Sequence, residues 1–382
     1  MSEVVICDIS IIPVGEHWDK AIDDLIYDAA EPLTNKYREL IDAVYVGNML
    51  SQYCRLQGNL GAYTADILGL TDTEAFWINN AEASGASALY EAVKAIRSGA
   101  HDVVLVGGVE KVTDVLSREL IEGLSLSVYA DLVNYSGVTL AGLAALMARE
   151  YIKRFKIDRR YLSYLSVQDH DNALSAKHAQ FHVKISIEKV LNSPLVSDPL
   201  SVFDVAPISD GAAFLLLMKR EIADEYGLKY VSILGISMAT QTMCIIDRED
   251  ILEFRATRIA TSKAVKQANI DLSDISILEI NDDFSITGIL SLEAIGLFNR
   301  GEAALAIAKG ETARNGKYPV NTFGGLKARG HPLGATGIYQ VCEIYMQLLG
   351  LAGDNQVKGA KYGLAQNYGG LDSISVVTIL GR

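Results

Sequence analysis

The stretch Asn321-Thr-Phe-Gly-Gly-Leu-Lys-Ala-Arg-Gly-His-Pro-Leu-Gly-Ala-Thr-Gly337 is dense in glycine and contains a single His-Pro step. Its first glycines, up to Gly330, permit backbone conformations that other residues rarely adopt. The small residues from Gly334 onward predict a thin first helical turn that another segment can approach closely. We therefore expect His331 to be held on a rigid turn at the start of a helix. Such a setting is more typical of a functional site than of a linker.

Composition limits the class of protein. The 382 residues are 49% hydrophobic, which is enough to bury a large core in one double domain or two similar ones. The net charge of −13 argues against nucleic acid or an anionic membrane as partner, because both require basic surfaces. The single basic cluster, at residues 153–160, is predicted to be a solvated helix end.

The cysteines and the N-terminus suggest a reducing compartment. The four cysteines lie far apart, without the close spacing of a zinc site or a disulfide framework: Cys7, Cys54, Cys244 and Cys342. No metal is therefore predicted. The strand-like start at residues 4–7 shows no basic and apolar leader pattern, and no apolar run approaches the ~18 residues of a membrane span. These features predict a cytoplasmic protein.

Short apolar runs alternate with segments of helical period, which is typical of a parallel sheet covered by helices. The expected buried strands are residues 103–108, 212–218, 276–280 and 373–380. A weak internal repeat is also visible. Small residues open a helix at 83–86 and again at 334–337, and both helices continue as apolar segments. We expect these two helices to be buried.

The segment 321–337 closely resembles the Gly-His-Pro signature of the thiolase superfamily. Further matches at residues 106–110, 170–181 and 204–212 spread the resemblance over nearly the whole chain. The similarity is to the archaeal and sterol-carrier types of acetyl-CoA C-acyltransferase. It implies an α/β thiolase fold with two similar βαβαβαββ halves in five layers (α/β/α/β/α). The implied halves are residues 1–220, including a loop domain at about 111–202, and residues 221–382.

One position departs from the family pattern. Where a thiolase opens a buried helix with its nucleophilic cysteine, this chain reads Asn80-Ala-Glu-Ala-Ser-Gly-Ala-Ser-Ala88, so Glu82 takes the place of the cysteine. A carboxylate cannot hold an acyl group as a thioester. Glu82 could instead be a structural acid at a helix N-terminus, where the helix dipole stabilises a negative charge by ~0.3–1 kcal/mol.

Other motifs keep the residues that the resemblance assigns to oxyanion holes. The matching family residues of His331 and Asn281 hold the thioester carbonyl, the asparagine through a water molecule. Asp283 falls where the sterol-carrier type has its acid/base cysteine, although a solvated loop acid is an equal alternative. In the segment 364–370, Asn367 stands at the second cysteine of a Cys-x-Gly motif.

The same motif implies that the N–H of Gly369 joins the N–H of residue 82 in a second oxyanion hole. Gly330 and Gly334 are expected to approach the coenzyme A ligand. The resemblance implies no tightly bound cofactor, with a coenzyme A thioester as substrate or ligand. The four cysteines lie away from the family motifs, so none is expected to replace the nucleophile.

Three functions remain open at this stage. The first is an enzyme that acts on acyl-CoA without an acyl-enzyme, with Glu82 or Asp283 moving the proton in retro-aldol, decarboxylation or hydrolysis. The second is a non-catalytic subunit that binds an OB-fold/zinc-ribbon protein or an HMG-CoA synthase-like partner. The third is an ordinary acetyl-CoA C-acetyltransferase in which Ser84 is the nucleophile or the alignment differs. A homodimer or homotetramer is implied in each case.

Overall fold

The computed structural model describes residues 3–382. The N-terminal half opens with alternating strands and helices: β1 (Val4–Ile11), α1 (Ile22–Tyr37), β2 (Ala43–Gly47), α2 (Ser51–Cys54), α3 (Leu60–Ile67), β3 (Glu74–Ile78), α4 (Ser84–Ser98) and β4 (Val103–Glu110). An excursion follows: α5 (Ser117–Ser125), α6 (Ala130–Ser136), α7 (Leu140–Phe155), α8 (Arg160–Ala173), α9 (Ile187–Leu191), β5 (Leu195–Ser197) and β6 (Leu200–Ser201). The half closes with β7 (Gly211–Lys219) and α10 (Arg220–Glu225).

The C-terminal half repeats the alternation: β8 (Val231–Thr240), α11 (Arg255–Ala268), β9 (Ile277–Ile280), α12 (Ser285–Ile295), α13 (Ala303–Ala308), α14 (Thr336–Leu349), β10 (Tyr362–Gly369) and β11 (Ile374–Gly381). A π-helical turn at Gly325–Arg329 and a 3₁₀ turn at Leu333–Ala335 precede α14. The strands expected from the sequence are confirmed as β4, β7, β9 and β11.

The nine long strands form one sheet in the order β3-β2-β4-β7-β1-β8-β11-β10-β9. Strands β2, β3 and β4 are parallel, whereas β7 is antiparallel to both β4 and β1. The C-terminal half has the same arrangement of parallel and antiparallel pairs. In place of the pairing of β3 with β2, a parallel bridge joins Val320 to Leu278 of β9. The internal repeat predicted from the sequence is therefore a repeat of topology. The halves join where Val5 and Ile6 of β1 pair with β8.

Helices α4 and α14 form the central layer and pack against both halves of the sheet. Their first turns touch. A Cβ at Gly85 would lie 2.6 Å from the carbonyl oxygen of Gly334, and one at Gly337 would lie 2.8 Å from the Ala86 Cβ. Only glycine permits this approach. Because the turns meet, the residues just before the two helices are brought into one region.

Outer helices complete the five layers. Helices α1 and α3 cover the N-terminal half of the sheet, and α11 and α12 cover the C-terminal half. Strands β4 and β7 are buried along nearly their whole length, which explains their continuous apolar sequence. The excursion contributes no strand to the nine-stranded sheet, and α7 and α8 pack on α12 and α13. Within residues 3–382, no helix combines the length and apolarity needed to cross a bilayer.

Candidate active site

Glu82, Asp283 and His331, three of the residues predicted from the sequence, line one cavity of about 280 Å³. They lie just before α4, α12 and α14, so the contact between the two halves assembles the site. The remaining wall is mostly apolar and includes Ile121, Leu124, Leu140, Val205, Ile208 and Leu333. Pockets of this kind, apolar with a few convergent polar groups, are typical of small-molecule sites.

Glu82 is almost completely buried, with 1% of its surface exposed. The N–H of Gly370, from the C-terminal half, donates to Glu82 Oε2 at 2.8 Å. Burial raises the pKa of Glu82 to about 7, and the nearby charge of Asp283 acts in the same direction. The carboxyl group can therefore exchange a proton near neutral pH.

The turn before α4 explains the position of Glu82. Ala81 has a positive φ of 53°, and Ser84 stabilises the turn through its hydroxyl group. Ser84 Oγ accepts a bond from Asn80 N at 2.9 Å and donates to the Ala81 carbonyl. Ser84, the alternative nucleophile, is thus engaged in the helix start and is not among the residues that line the cavity.

Asp283 is also buried, with 5% exposure, so the alternative of a solvated loop acid is wrong. Three donors bond to its Oδ1: Phe284 N at 3.0 Å, Thr287 Oγ1 at 2.7 Å and the Tyr368 hydroxyl. Burial raises the pKa of Asp283 to about 6, against the opposing effect of the Tyr368 and Thr287 hydrogen bonds. The three described bonds leave Oδ2 for the cavity.

His331 is fixed by its backbone and by its ring. Its N–H donates to Pro207 O at 3.1 Å, and Nδ1 lies 2.7 Å from Thr336 Oγ1. Burial, together with the charge of Arg329, lowers the pKa of His331 to about 3. The imidazole is therefore neutral at pH 7. If Thr336 donates to Nδ1, Nε2 carries the proton and can serve as a hydrogen-bond donor.

Asn281 lies behind the cavity and is not one of its lining residues. Its Oδ1 accepts a bond from Asn367 Nδ2 at 2.7 Å, so the two motifs that carry these asparagines meet in space. Asn281 Nδ2 and Asn367 Oδ1 are buried without a protein partner in the described chain. This pair retains hydrogen-bonding capacity. The oxyanion role of Asn281 stays a prediction.

The three predicted glycines have packing explanations. Gly369 lies in β10, and the N–H that bonds to the Glu82 carboxylate belongs to the next residue, Gly370. Gly330 has a φ of 104°, and a Cβ there would lie 2.5 Å from Val14. A Cβ at Gly334 would lie 2.8 Å from the backbone of Asn48. Protein atoms thus fill the space beside Gly330 and Gly334, and their contact with coenzyme A stays a prediction.

Sequence reasoning missed several residues that hold the acids and the histidine. Tyr368 and Gly370 flank the predicted Gly369, and Thr336 lies five residues after His331. Their proximity to the motifs was the available signal, but hydroxyl and amide direction depends on the folded chain. No cysteine lines the cavity, and burial raises the pKa values of Cys7, Cys54 and Cys342.

Comparisons with known proteins agree with this architecture. Residues 4–221 match the family model described as the thiolase N-terminal domain, and residues 237–382 match the thiolase C-terminal domain-like model. A protein named acetyl-CoA acetyltransferase from Methanothermobacter thermautotrophicus is 39% identical over the full length of both chains. One of the same name from Methanocaldococcus jannaschii is 36% identical, covering all of this chain and 99% of the relative.

Human sterol carrier protein 2 is 31% identical over 82% of this chain and 59% of its own length. A solved structure named Ltp2-ChsH2(DUF35) aldolase has a TM-score of 0.84 at 19% identity, covering 100% of this chain and 98% of that chain. At that identity the structural likeness concerns the fold. The family models, the full-length relatives and the repeated five-layer topology together show that the chain belongs to the thiolase superfamily.

Proposed function

We propose that this protein binds an acyl-CoA thioester and makes or breaks the carbon–carbon bond next to the thioester carbonyl without an acyl-enzyme. The observation that carries the proposal is the shared cavity of two buried carboxyl groups and a neutral histidine. Covalent acyl transfer needs an activated nucleophile, and neither a cysteine nor Ser84 lines this cavity. Glu82, Asp283 and His331, which do line it, can transfer protons and donate a hydrogen bond to an oxyanion.

The two acids are suited to opposite tasks. With a pKa of about 6, Asp283 is mostly ionised at pH 7 and can act as a base. With a pKa of about 7, Glu82 is about half protonated and can act as an acid. The hydrogen bonds support this division of roles: three donors bond to Asp283 Oδ1 and favour its ionised form, whereas Glu82 accepts fewer.

Aldol cleavage of a 3-hydroxyacyl-CoA fits these roles. Asp283 takes the proton of the 3-hydroxyl group, the bond between carbons 2 and 3 breaks, and its electrons form the enolate of acetyl-CoA. Glu82 then gives its proton to carbon 2. The products are an aldehyde or ketone and acetyl-CoA, and proton exchange with solvent restores both acids. The reverse sequence forms the same bond.

The developing oxyanion needs hydrogen-bond donors. We assign the Nε2 proton of neutral His331 to the enolate oxygen, with Thr336 donating to Nδ1. Asn281, whose Nδ2 has no protein partner within the described chain, is the second donor through a water molecule, as the family resemblance implies. The family resemblance also assigns the N–H of Gly369, together with the N–H of Glu82, to a second oxyanion hole.

The test compares two reactions in three proteins: the natural chain, Glu82→Gln and Glu82→Cys. We expect the natural chain to convert 3-hydroxybutyryl-CoA to acetyl-CoA and acetaldehyde, measured by chromatography. Turnover should fall about 100-fold or more in Glu82→Gln, the usual loss on removing a general acid. Thiolytic cleavage of acetoacetyl-CoA with free coenzyme A should appear only in Glu82→Cys. Rapid thiolysis by the natural chain would overturn the proposal.

A second candidate is acetyl-CoA acetyltransferase, favoured by the name of the relative that is 39% identical over the full length. It predicts thiolysis by the natural chain.

A third candidate is a non-catalytic subunit, which predicts binding of coenzyme A thioesters without turnover in either reaction. The aldolase of known structure carries a second component, DUF35, in its name, which favours a protein partner for this chain as well.

We also propose a homodimer. Strand β3 lies at the free edge of the nine-stranded sheet, and its Phe76 is 39% exposed while stacked on Tyr45. An edge strand with an exposed aromatic side chain can pair with a second copy. Light scattering should give the mass of a dimer or its multiple; a monomer at micromolar concentration would contradict this.

A further inference from the structure

A second cavity, of about 430 Å³, adjoins the active-site cavity. It lies between the end of α8, α9 and the segment that leads to β7. Val196, Val205 and Ala206 line both cavities, so the two are adjacent. Ala206 N donates to Asp283 O at 2.7 Å, so the shared lining is bonded directly to a residue of the proposed reaction centre.

The polar side chains of the second cavity are already paired within the protein. His170 Nδ1 bonds to Val183 O at 2.9 Å, and burial lowers the pKa of His170, which favours the neutral ring. Lys327 is buried, and its ammonium pairs with Asp169 at 3.0 Å and with Asp282. With these groups engaged, the wall offers mainly apolar side chains to a ligand.

The rim of this cavity is also apolar. Phe181, Val183, Val196 and Val202 are each 37–52% exposed, and all four line the same opening. Clusters of exposed apolar side chains usually mark a binding surface. The one exposed cation of the lining, Lys189, lies over the Phe203 ring at 5.4 Å and can keep its ammonium in water.

We propose that this second cavity binds the apolar acyl chain of the coenzyme A thioester, beyond the carbons that react. The inference rests on the proposed function and specifies its substrate as a medium- or long-chain acyl group. The volume lies in the range of small-molecule sites. The pantetheine arm is a poorer occupant, because its amide groups would be buried against walls that offer few unpaired hydrogen-bonding partners.

Calorimetric titration with free coenzyme A and with acetyl-, butyryl-, hexanoyl- and octanoyl-CoA tests this. For each methylene that enters the cavity, Kd should fall by up to about fourfold. Val183→Trp narrows the rim at an exposed position and should remove the gain from chain length. It should leave the Kd of free coenzyme A and acetyl-CoA unchanged. The control is Ile246→Trp, at an exposed position outside both cavities. It should show the same decrease of Kd with chain length as the natural chain.

Three results would overturn the inference. A Kd independent of chain length means that the acyl group lies elsewhere. Equal weakening of free coenzyme A and the acyl thioesters by Val183→Trp means that pantetheine occupies the cavity. Self-association that Val183→Trp abolishes, with a flat chain-length series, identifies the rim as a protein interface. Failure of the proposed function is separate: binding would follow chain length, but neither reaction would turn over.

Discussion

Glu82 and Glu110 are both buried glutamates whose pKa burial raises to about 7, yet their surroundings differ. Glu110 ends β4 and accepts bonds from Met49 N, Leu50 N and Gly334 N at 2.9–3.0 Å, and from the Asn48 side chain. Glu82 accepts a bond from Gly370 N, has the Ser127 hydroxyl as a further partner, and lines a cavity with His331. Glu110 stabilises loops, whereas Glu82 accepts fewer bonds and borders a cavity that a ligand can enter.

This difference shows that a raised pKa does not by itself identify a reactive acid. Asp283 and Glu293 form a second pair in which both acids have a raised pKa but only one lies at the cavity. Both carboxylates accept a bond from a buried tyrosine, Tyr368 and Tyr151 respectively, and burial raises the pKa of both. Only Asp283 borders the cavity that holds Glu82.

The largest effect is expected from removing the structural acid. Glu110→Ala leaves several buried donors without an acceptor, and we expect it to lower the free energy of unfolding by roughly 3–6 kcal/mol. Glu82→Ala leaves one buried backbone donor without an acceptor and should lower the free energy of unfolding by only about 1–3 kcal/mol. Urea denaturation of both variants measures the difference. Equal losses would show that Glu82 is as structural as Glu110.

The pH dependence of stability comes next. Because the folded pKa of Glu82 is raised, its stabilising contribution is complete below the unfolded pKa of about 4.5 and is lost as pH rises through 7. Glu82→Gln removes this loss. Its stability relative to the natural chain should therefore rise by up to roughly 3 kcal/mol between pH 4.5 and 8. The relative stability of Glu110→Gln should rise with pH to the same extent, but this variant should be less stable than Glu82→Gln at every pH. If the stability of Glu82→Gln relative to the natural chain does not change with pH, the raised pKa of Glu82 is contradicted.

Turnover should then separate the second pair of acids. Asp283→Asn removes the proposed base, and we expect turnover of 3-hydroxybutyryl-CoA to fall about 100-fold. Glu293→Gln changes a partly buried acid whose pKa is also raised by burial but which lies outside the cavity, so this variant should keep most of the turnover. Steady-state kinetics of the two purified variants decide this. Full activity of Asp283→Asn would assign the base elsewhere.

The smallest effect concerns the tyrosines. The Tyr368 hydrogen bond lowers the pKa of Asp283, so Tyr368→Phe should raise that pKa. The acidic limb of the pH–rate profile should move to higher pH by about one unit, the usual size of a lost hydrogen bond to a charged group. Tyr151→Phe, which alters the bond to Glu293, should leave the profile in place. Identical profiles for all three proteins would exclude Asp283 from the titration.

Much of the fold followed from local sequence. Continuous apolar runs predicted β4, β7, β9 and β11, since strands buried on both faces need no polar alternation. The small residues at the starts of α4 and α14 predicted two buried helices whose first turns can be approached closely, and the contact of Gly85 with Gly334 confirms this. The excursion near residues 111–202 was visible from its mixed polarity. The pairing of β1 with β8, which joins the halves, has no local signal because it depends on strands far apart in sequence.

For the site, the sequence alone determined which residues are present: an acid at position 82, an acid at position 283 and a histidine at position 331. Tertiary structure decided that these three share one cavity, that Glu110 does not, and that Asn281 lies behind it. It also decided their protonation, because burial and neighbouring charge come from distant segments. Residue types set the available chemistry, and the contact between two halves of the chain set where that chemistry can occur.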